Sequence, residues 1–285
     1  MGFRRRKWEE RVFRVLMAAS TFIVLGSLLM ILGTVVIKAL PALNLDMITR
    51  TPEGGFYLGK AGGIKNAILG SLYLASVATL LAVLLSLPIA LYINTYSMRS
   101  KAWAVQVRFF LDVLWGVPSI VYGAFGFIVM TLLGMRASLL AGILTVALLE
   151  LPIMARAMDE VIRLVPSSLF DASASLGASR LQTALRVVLR QSLPGILTAM
   201  LIAFGRGIGD AASVLFTAGF TDHVPTSLTQ PAATLPLAIF FQLGSPIPEV
   251  RERAYASAAV LTLIILLVSL AARALSRKLR KHIIP

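Results

Sequence analysis

An arginine and an aspartate sit in this chain where a lipid-facing helix has no use for either. The run FGRGIGDAAS at 204–213 places Arg206 and Asp210 near the middle of an apolar stretch from Leu193 to Phe220, and each charge costs roughly 2.5 to 3.5 kcal/mol at the centre of a membrane helix on insertion scales. If the stretch is one helix, a spacing of four sets both on one face, about 6 Å apart along the axis, where opposite charges pair. Two readings stay open. Asp210 neutralises Arg206 as an internal ion pair, or Arg206 faces a pathway and offers its fork of N–H donors to a passing oxyanion, with Asp210 keeping it from binding too tightly. A guanidinium suits phosphate because its donors match two oxygens at once. A third ionisable residue, Glu150, precedes Pro152 about halfway along another apolar stretch. An intramembrane carboxylate marks a functional position by default, and satisfaction by a neighbouring helix is the plain alternative.

Little else in the chain could do chemistry. With no cysteine, disulfides, thiol metal sites and cysteine nucleophiles are excluded. The two histidines, His223 and His282, fall outside the apolar stretches with no ligand spacing around them, so neither a metal site nor an intramembrane enzyme is expected. GGFYLGKA at 54–61 nearly matches a phosphate-binding loop through Gly54, Gly59 and Lys60, but Ala61 stands where a hydroxyl would ligate magnesium and no buried strand precedes it. The chain therefore binds no nucleotide or cofactor of its own, and any ATP and Mg chemistry belongs to a partner.

The elements that must position these residues are membrane helices. The chain is 58% hydrophobic and 14% charged, with a mean hydropathy of +0.85, far above an ordinary globular composition. Six stretches are long enough for the ~20 residues that cross a ~30 Å core: Met17–Ile37, Ile64–Ile93, Val107–Leu133, Ser138–Met158, Leu193–Phe220 and Tyr255–Ala272. The fold class is all-α and polytopic. Before the first stretch, Trp8, Val12, Val15 and Leu16 share one helical face with arginines opposite, as in an interfacial helix. The third stretch holds WGVPSIVYGAFG, whose Gly116, Pro118, Gly123 and Gly126 suit either close helix packing or a kinked, pore-lining helix. LPLAIFF at 235–241 is too short to span and reads as a surface or re-entrant piece.

A net charge of +14 could suggest nucleic acid, but its distribution points to a membrane surface and anionic lipid headgroups instead. With the N-terminus inside, 19 of the 27 Lys and Arg lie on cytoplasmic segments and 7 on external ones, Arg206 being the last. The positive-inside rule then sets both termini in the cytoplasm. On that topology 159–192 is the longest cytoplasmic loop, and it does not read as disordered. Pro166 ends the preceding helix. Ser168 and Asp171 read as a capping box. Leu169, Ala172, Ser173 and Leu176 recur at helical spacing as a narrow small-residue face, and Gly177 supplies a left-handed stop. Two short helices, about 168–176 and 179–191, would thus offer a soluble partner a docking face.

DASASLGASRLQTALRVVLRQSLPGI at 171–196 resembles the EAA loop of the permease subunits of ABC importers, keeping Ala172, Gly177, Leu193 and Pro194 and departing at Asp171, Ser173 and Arg190. GGIKNAILGSLYL at 62–74, GVPSIVYGAFG at 116–126, LPIMARAMDEVIRLVPSSL at 151–169 and RGIGDAASVLFTAG at 206–219 look, together and in order, like the phosphate permease of the PstA type, with Asp210 standing where relatives carry glutamate. The resemblance implies a MetI-like permease fold with six transmembrane helices. It divides the chain into an N-terminal anchor and loop at 1–61, a transmembrane domain at 62–276 with its coupling loop at 159–196, and a basic tail at 277–285. The implied partners are a PstC-like second permease, a dimeric PstB-like ATPase holding ATP and Mg, and a PstS-like extracytoplasmic phosphate-binding protein. In the family's manner, Asp171, Ala172, Ser173, Gly177, Leu193 and Pro194 would couple to the ATPase, and Arg206, Asp210 and Glu150 would line the path of phosphate. The EAA loop alone does not encode the substrate, so sulfate or molybdate remains the runner-up. An ion-coupled carrier relaying through the same three residues fits less well, since no internal repeat is visible. A role in reporting phosphate status stays open alongside transport.

Overall fold

The computed structural model describes residues 2–54, 56–58, 62–96 and 101–280, with the backbone alone for 2–5, 56, 101, 279 and 280. Gly59, Lys60 and Ala61 of the phosphate-loop-like run, Arg99, Lys281 and His282 lie outside the described residues, as does the last part of the basic tail. The helices, in chain order, are α1 (Gly2–Ala39), α2 (Leu45–Thr49), α3 (Lys65–Thr95), α4 (Lys101–Trp115), α5 (Ser119–Leu132), α6 (Leu139–Arg163), α7 (Ser167–Ser175), α8 (Arg180–Gln182), α9 (Leu189–Gly209), α10 (Leu235–Leu243) and α11 (Pro248–Arg280). Five helices are long and apolar enough to cross a membrane, six if the bent pair α4–α5 counts as one span.

The centre of the molecule is the contact of α3 with α6. Small residues recur along α3 at helical spacing: Ala67, Ser71, Ala75, Ala78, Ala82, Ser86 and Ala90 are all buried. Without large side chains on that seam the two backbones approach closely, which is how helices associate in lipid. The Ser86 hydroxyl donates to the Leu151 carbonyl beside Pro152, 3.1 Å away. α9 packs on the same pair, with Met154, Met158, Ile162, Val188 and Ile196 filling one end of the core and Leu74, Ile143, Val146, Val214 and Leu237 the other. Large apolar side chains elsewhere point outward, as a hydrocarbon solvent allows.

Four expectations change. α1 is one unbroken helix of 38 residues, about 57 Å long, so the amphipathic segment and the first span are a single element packed against α11 with no boundary at Met17. The third span starts earlier, at Lys101, and is broken by 94° between Trp115 and Ser119. Pro118 lacks an N–H and steers Val117 out of helical geometry, and the Leu114 carbonyl that loses the Pro118 donor accepts instead from Val117 N–H at 3.1 Å and from the Tyr122 hydroxyl at 2.8 Å. The fifth span does not reach Phe220: α9 stops at Gly209, and residues 210–234 are irregular. Finally, the second coupling helix is not separate from that span. It runs from Arg180 to Gly209 through a π-helical stretch at Thr183–Val188, which carries Leu193 and Pro194 inside the helix.

The irregular 210–234 segment is tied at both sides. Its Thr217, Leu228 and Gln230 carbonyls accept from the amides of Ser138, Leu140 and Leu139, the orphan donors at the start of α6. Asn66 donates to the Thr221 carbonyl at 2.6 Å. α10, the short apolar piece, is buried on its first turn between α3 and α11, with the Ser71 hydroxyl accepting from Leu235 N–H at 2.7 Å. Outside the spans, Tyr57 donates to Asp222 Oδ1 at 2.7 Å. Burial and the neighbouring carboxylate together push its phenol well above the ordinary value.

Candidate functional site

α9 carries Arg206 in its last turn and then breaks. The helix end follows from the sequence Arg-Gly-Ile-Gly-Asp: two glycines weaken the turn, and Asp210 leaves helical geometry at φ −84°, ψ 117°. Its carboxylate turns forward, accepting from Ser213 N–H at 2.9 Å. Of the two readings of Arg206 and Asp210, the ion pair along one helix face is not formed, because α9 ends before Asp210. Among the described residues no carboxylate lies within ion-pair distance of Arg206. Its side chain is exposed in the chain taken alone and close enough to Tyr122 to act on it electrostatically. The plain structural use of a cation here is favourable contact with the carbonyl end of the helix dipole.

Glu150 is fully buried halfway along α6. The Thr79 hydroxyl of α3 donates to its Oε1 at 3.2 Å, and its Oε2 has no hydrogen-bond partner among the described residues. Gly207 of α9 lies against the carboxylate so closely that a Cβ would collide with Oε1. Thr79, Glu150 and Gly207 thus form a polar layer where three helices meet, one residue along the chain from Arg206. The three residues expected to line a pathway gather at one level, but Arg206 points outward, Glu150 inward and Asp210 into the following turn.

A second ionic site was not legible as such in the sequence. Asp159, fully buried, accepts both arms of a fork from Arg108, Nε at 2.8 Å and Nη2 at 2.9 Å, together with Arg156 Nη1 at 2.9 Å and Asn94 Nδ2 at 2.8 Å. Arg156 also reaches Asp112 through its Nε. This cluster bolts α3, α4 and α6 together just before the chain enters α7. Its signal was present in Asp112, an acid inside the apolar run FFLDVLW, and in the i, i+3 spacing of Arg156 and Asp159.

The coupling-loop residues divide by direction. α7 starts one residue earlier than expected, with Pro166 at its N-cap and no side-chain cap, so Ser168 and Asp171 make no capping box. The real box is Ser179 with Gln182, opening the next helix. Asp171, Ala172, Ala174, Ser175 and Leu176 are exposed, whereas Ser173 is buried with its hydroxyl 2.8 Å from that of Thr183, and Leu169 packs into the core. The exposed face is thus Asp171, Ala172, Ser175 and Leu176, and Ser173 holds the hairpin from within. Gly177 adopts φ +75°, the left-handed stop.

Comparison with known proteins gives the same outline. The family model for the binding-protein-dependent transport system inner membrane component matches residues 86–281. The phosphate transport system permease protein PstA of Yersinia pestis is 34% identical over 278 residues, 97% of this chain and 92% of its own length. Among solved structures, the inward-facing MetNI methionine ABC transporter aligns with a TM-score of 0.64 at 18% identity, over 76% of this chain and 95% of that one. A bacterial alginate ABC transporter, in complex with an alginate pentasaccharide-bound periplasmic protein, aligns at 0.63 and 17% identity over 98% of each chain. These two likenesses bear on the fold.

Proposed function

The chain belongs to the inner membrane component family of binding-protein-dependent transport systems, within it to the PstA phosphate permeases, and from that premise we propose that it forms the path of phosphate in an ATP-driven importer. It works beside a second permease, a cytoplasmic ATPase and an external binding protein; the finer reading names these as PstC-like, a PstB-like dimer and PstS-like. ATP and Mg are bound by the ATPase, and the chain itself is a non-catalytic, multi-pass membrane subunit with no nucleic acid partner. The basic excess on alternate segments supports placing both termini and α7 in the cytoplasm.

The observation that carries the pathway assignment is the helix end at Gly209, three residues after an exposed Arg206 that no carboxylate among the described residues neutralises. Irregular backbone at membrane depth is tolerated only where protein buries it or where it lines a wet cavity. Broken helices of this kind mark substrate sites in transporters. Arg206 is then free to give two donors to a phosphate oxyanion, and Asp210, engaged with Ser213, does not compete for it. Glu150 faces the opposite side of the same turn through Gly207, where it positions α9 and does not touch the anion.

Coupling runs along one covalent element. The exposed face of α7 meets the ATPase, Ser173 and Thr183 fasten α7 to the π-helical stretch Thr183–Val188, and the helix from Arg180 to Gly209 carries displacement directly to Arg206. The test is reconstitution of the complex with Arg206→Ala. Loss of phosphate uptake with intact assembly and ATP hydrolysis supports the assignment, and unchanged uptake refutes it.

A further inference from the structure

At the basic end of the molecule, α9 and α11 border a cleft of about 350 Å³ lined by Thr198, Leu201, Ile202, Ser269, Arg273, Ser276 and Arg277. We propose that this cleft is a binding site for the phosphate headgroup of an acidic phospholipid. On α11 the residues Ser269, Arg273, Ser276 and Arg277 follow at i, i+4, i+7 and i+8, so one helical face presents two guanidinium groups and two hydroxyls together. Neither Arg273 nor Arg277 has an ion-pair or hydrogen-bond partner among the described residues. Thr198 and Ser276 spend their protons on the Pro194 carbonyl, at 3.0 and 3.4 Å. That leaves Ser269 and the two arginines as the donors that face a ligand, a set matched to a phosphodiester.

The depth of the cleft favours a lipid over a free anion. Arg273 follows directly on the apolar stretch Tyr255–Ala272, 18 residues and about 27 Å along the helix past Tyr255, which puts it at the edge of a ~30 Å hydrocarbon core and at headgroup level. Below it the surface becomes apolar and exposed, through Ile202 on α9 and Leu266, Leu267 and Leu270 on α11. A headgroup in the cleft therefore has somewhere to lay its acyl chain. Basic pockets between helices at this leaflet are the usual form of such sites. The cleft also sits against Pro194, in the second turn of α9, so an occupant would brace the helix that leads out of the coupling loop.

The inference rests on the proposed orientation but not on the transported substrate, and its test reads lipid, not transport. The assembled complex is purified from cells that contain phosphatidylglycerol, washed with neutral detergent, extracted and analysed by mass spectrometry. It is compared with complexes carrying Arg273→Gln/Arg277→Gln and Arg273→Lys/Arg277→Lys. Phosphatidylglycerol is expected to stay with the native complex and to fall roughly tenfold or more in the glutamine variant. The lysine variant, which keeps the charge that orients the helix but lacks the fork, should fall between. A parallel wash with inorganic phosphate should not strip the lipid. Equal phosphatidylglycerol in native and glutamine complexes overturns the proposal. So does retention of neutral lipid in the same proportion. Displacement by inorganic phosphate would make the cleft a free-anion site and would equally overturn the lipid assignment. Phosphate uptake that is Arg206-dependent beside a negative lipid result would leave the transport reading standing alone.

Discussion

Arg206 and Gly207 are adjacent and do opposite things: one presents an exposed charge to the proposed pathway, the other leaves out a side chain so that a buried carboxylate can fit. Arg206→Lys should retain part of the uptake that Arg206→Ala loses, because an ammonium keeps the charge but not the bidentate geometry. Gly207→Ala should destabilise the assembled complex by about 1 to 3 kcal/mol, the usual cost of overpacking, read as a lowered unfolding temperature in detergent. If the collision is with Glu150, combining it with Glu150→Ala should recover part of that loss, as expected of touching residues. Asp159→Ala should cost more, roughly 3 to 5 kcal/mol, since it strips a buried pair and leaves Arg108 uncompensated. Arg206 and Glu150 were legible because a charge inside an apolar stretch stands out. Asp159 was not, because arginines near a span end read as topology signals and conceal the acid that pairs them.

Helix breaks decide how the elements work. Gly-Val-Pro at 116–118 turns the third span by 94°, and Gly-Ile-Gly at 207–209 ends α9 beside the polar layer. The first break was half visible in the sequence as a kink. The second was hidden, because VLFTAGF continues the apolar run and hydropathy does not distinguish a helix from a buried irregular segment whose carbonyls cap another helix. The coupling hairpin shows a related limit: periodicity found a helix at α7 but put Ser173 on the exposed face, since Thr183, its partner, becomes a neighbour only when the chain folds back. Gly177→Ala, forced into a left-handed backbone, should cost about 1 kcal/mol. A bulky residue at exposed Ala172 should instead leave thermal stability unchanged and uncouple ATP hydrolysis from uptake, measured as ATPase activity that no longer responds to the loaded binding protein.

At the scale of the whole molecule the sequence was a good guide, because composition and span length are set by the bilayer and survive any detail of packing. The all-α architecture stands, as do six apolar stretches when the pair bent by 94° counts as one span, and α1 along most of its length and α11 over its second half remain largely exposed, as expected of helices that meet lipid or another subunit. What ties the scales together is the helix from Arg180 to Gly209, with the proposed docking hairpin at one end and, at the other, an arginine that no carboxylate pairs among the described residues. The central claim is that ATP hydrolysis by a partner moves phosphate past Arg206. It is tested most directly by co-reconstituting the chain with its second permease, ATPase and binding protein, and by measuring uptake of labelled phosphate, sulfate and molybdate in parallel. The account predicts phosphate uptake that requires ATP and is abolished by Arg206→Ala while hydrolysis persists. Uptake of phosphate without ATP, or full uptake by the Arg206→Ala complex, would contradict it.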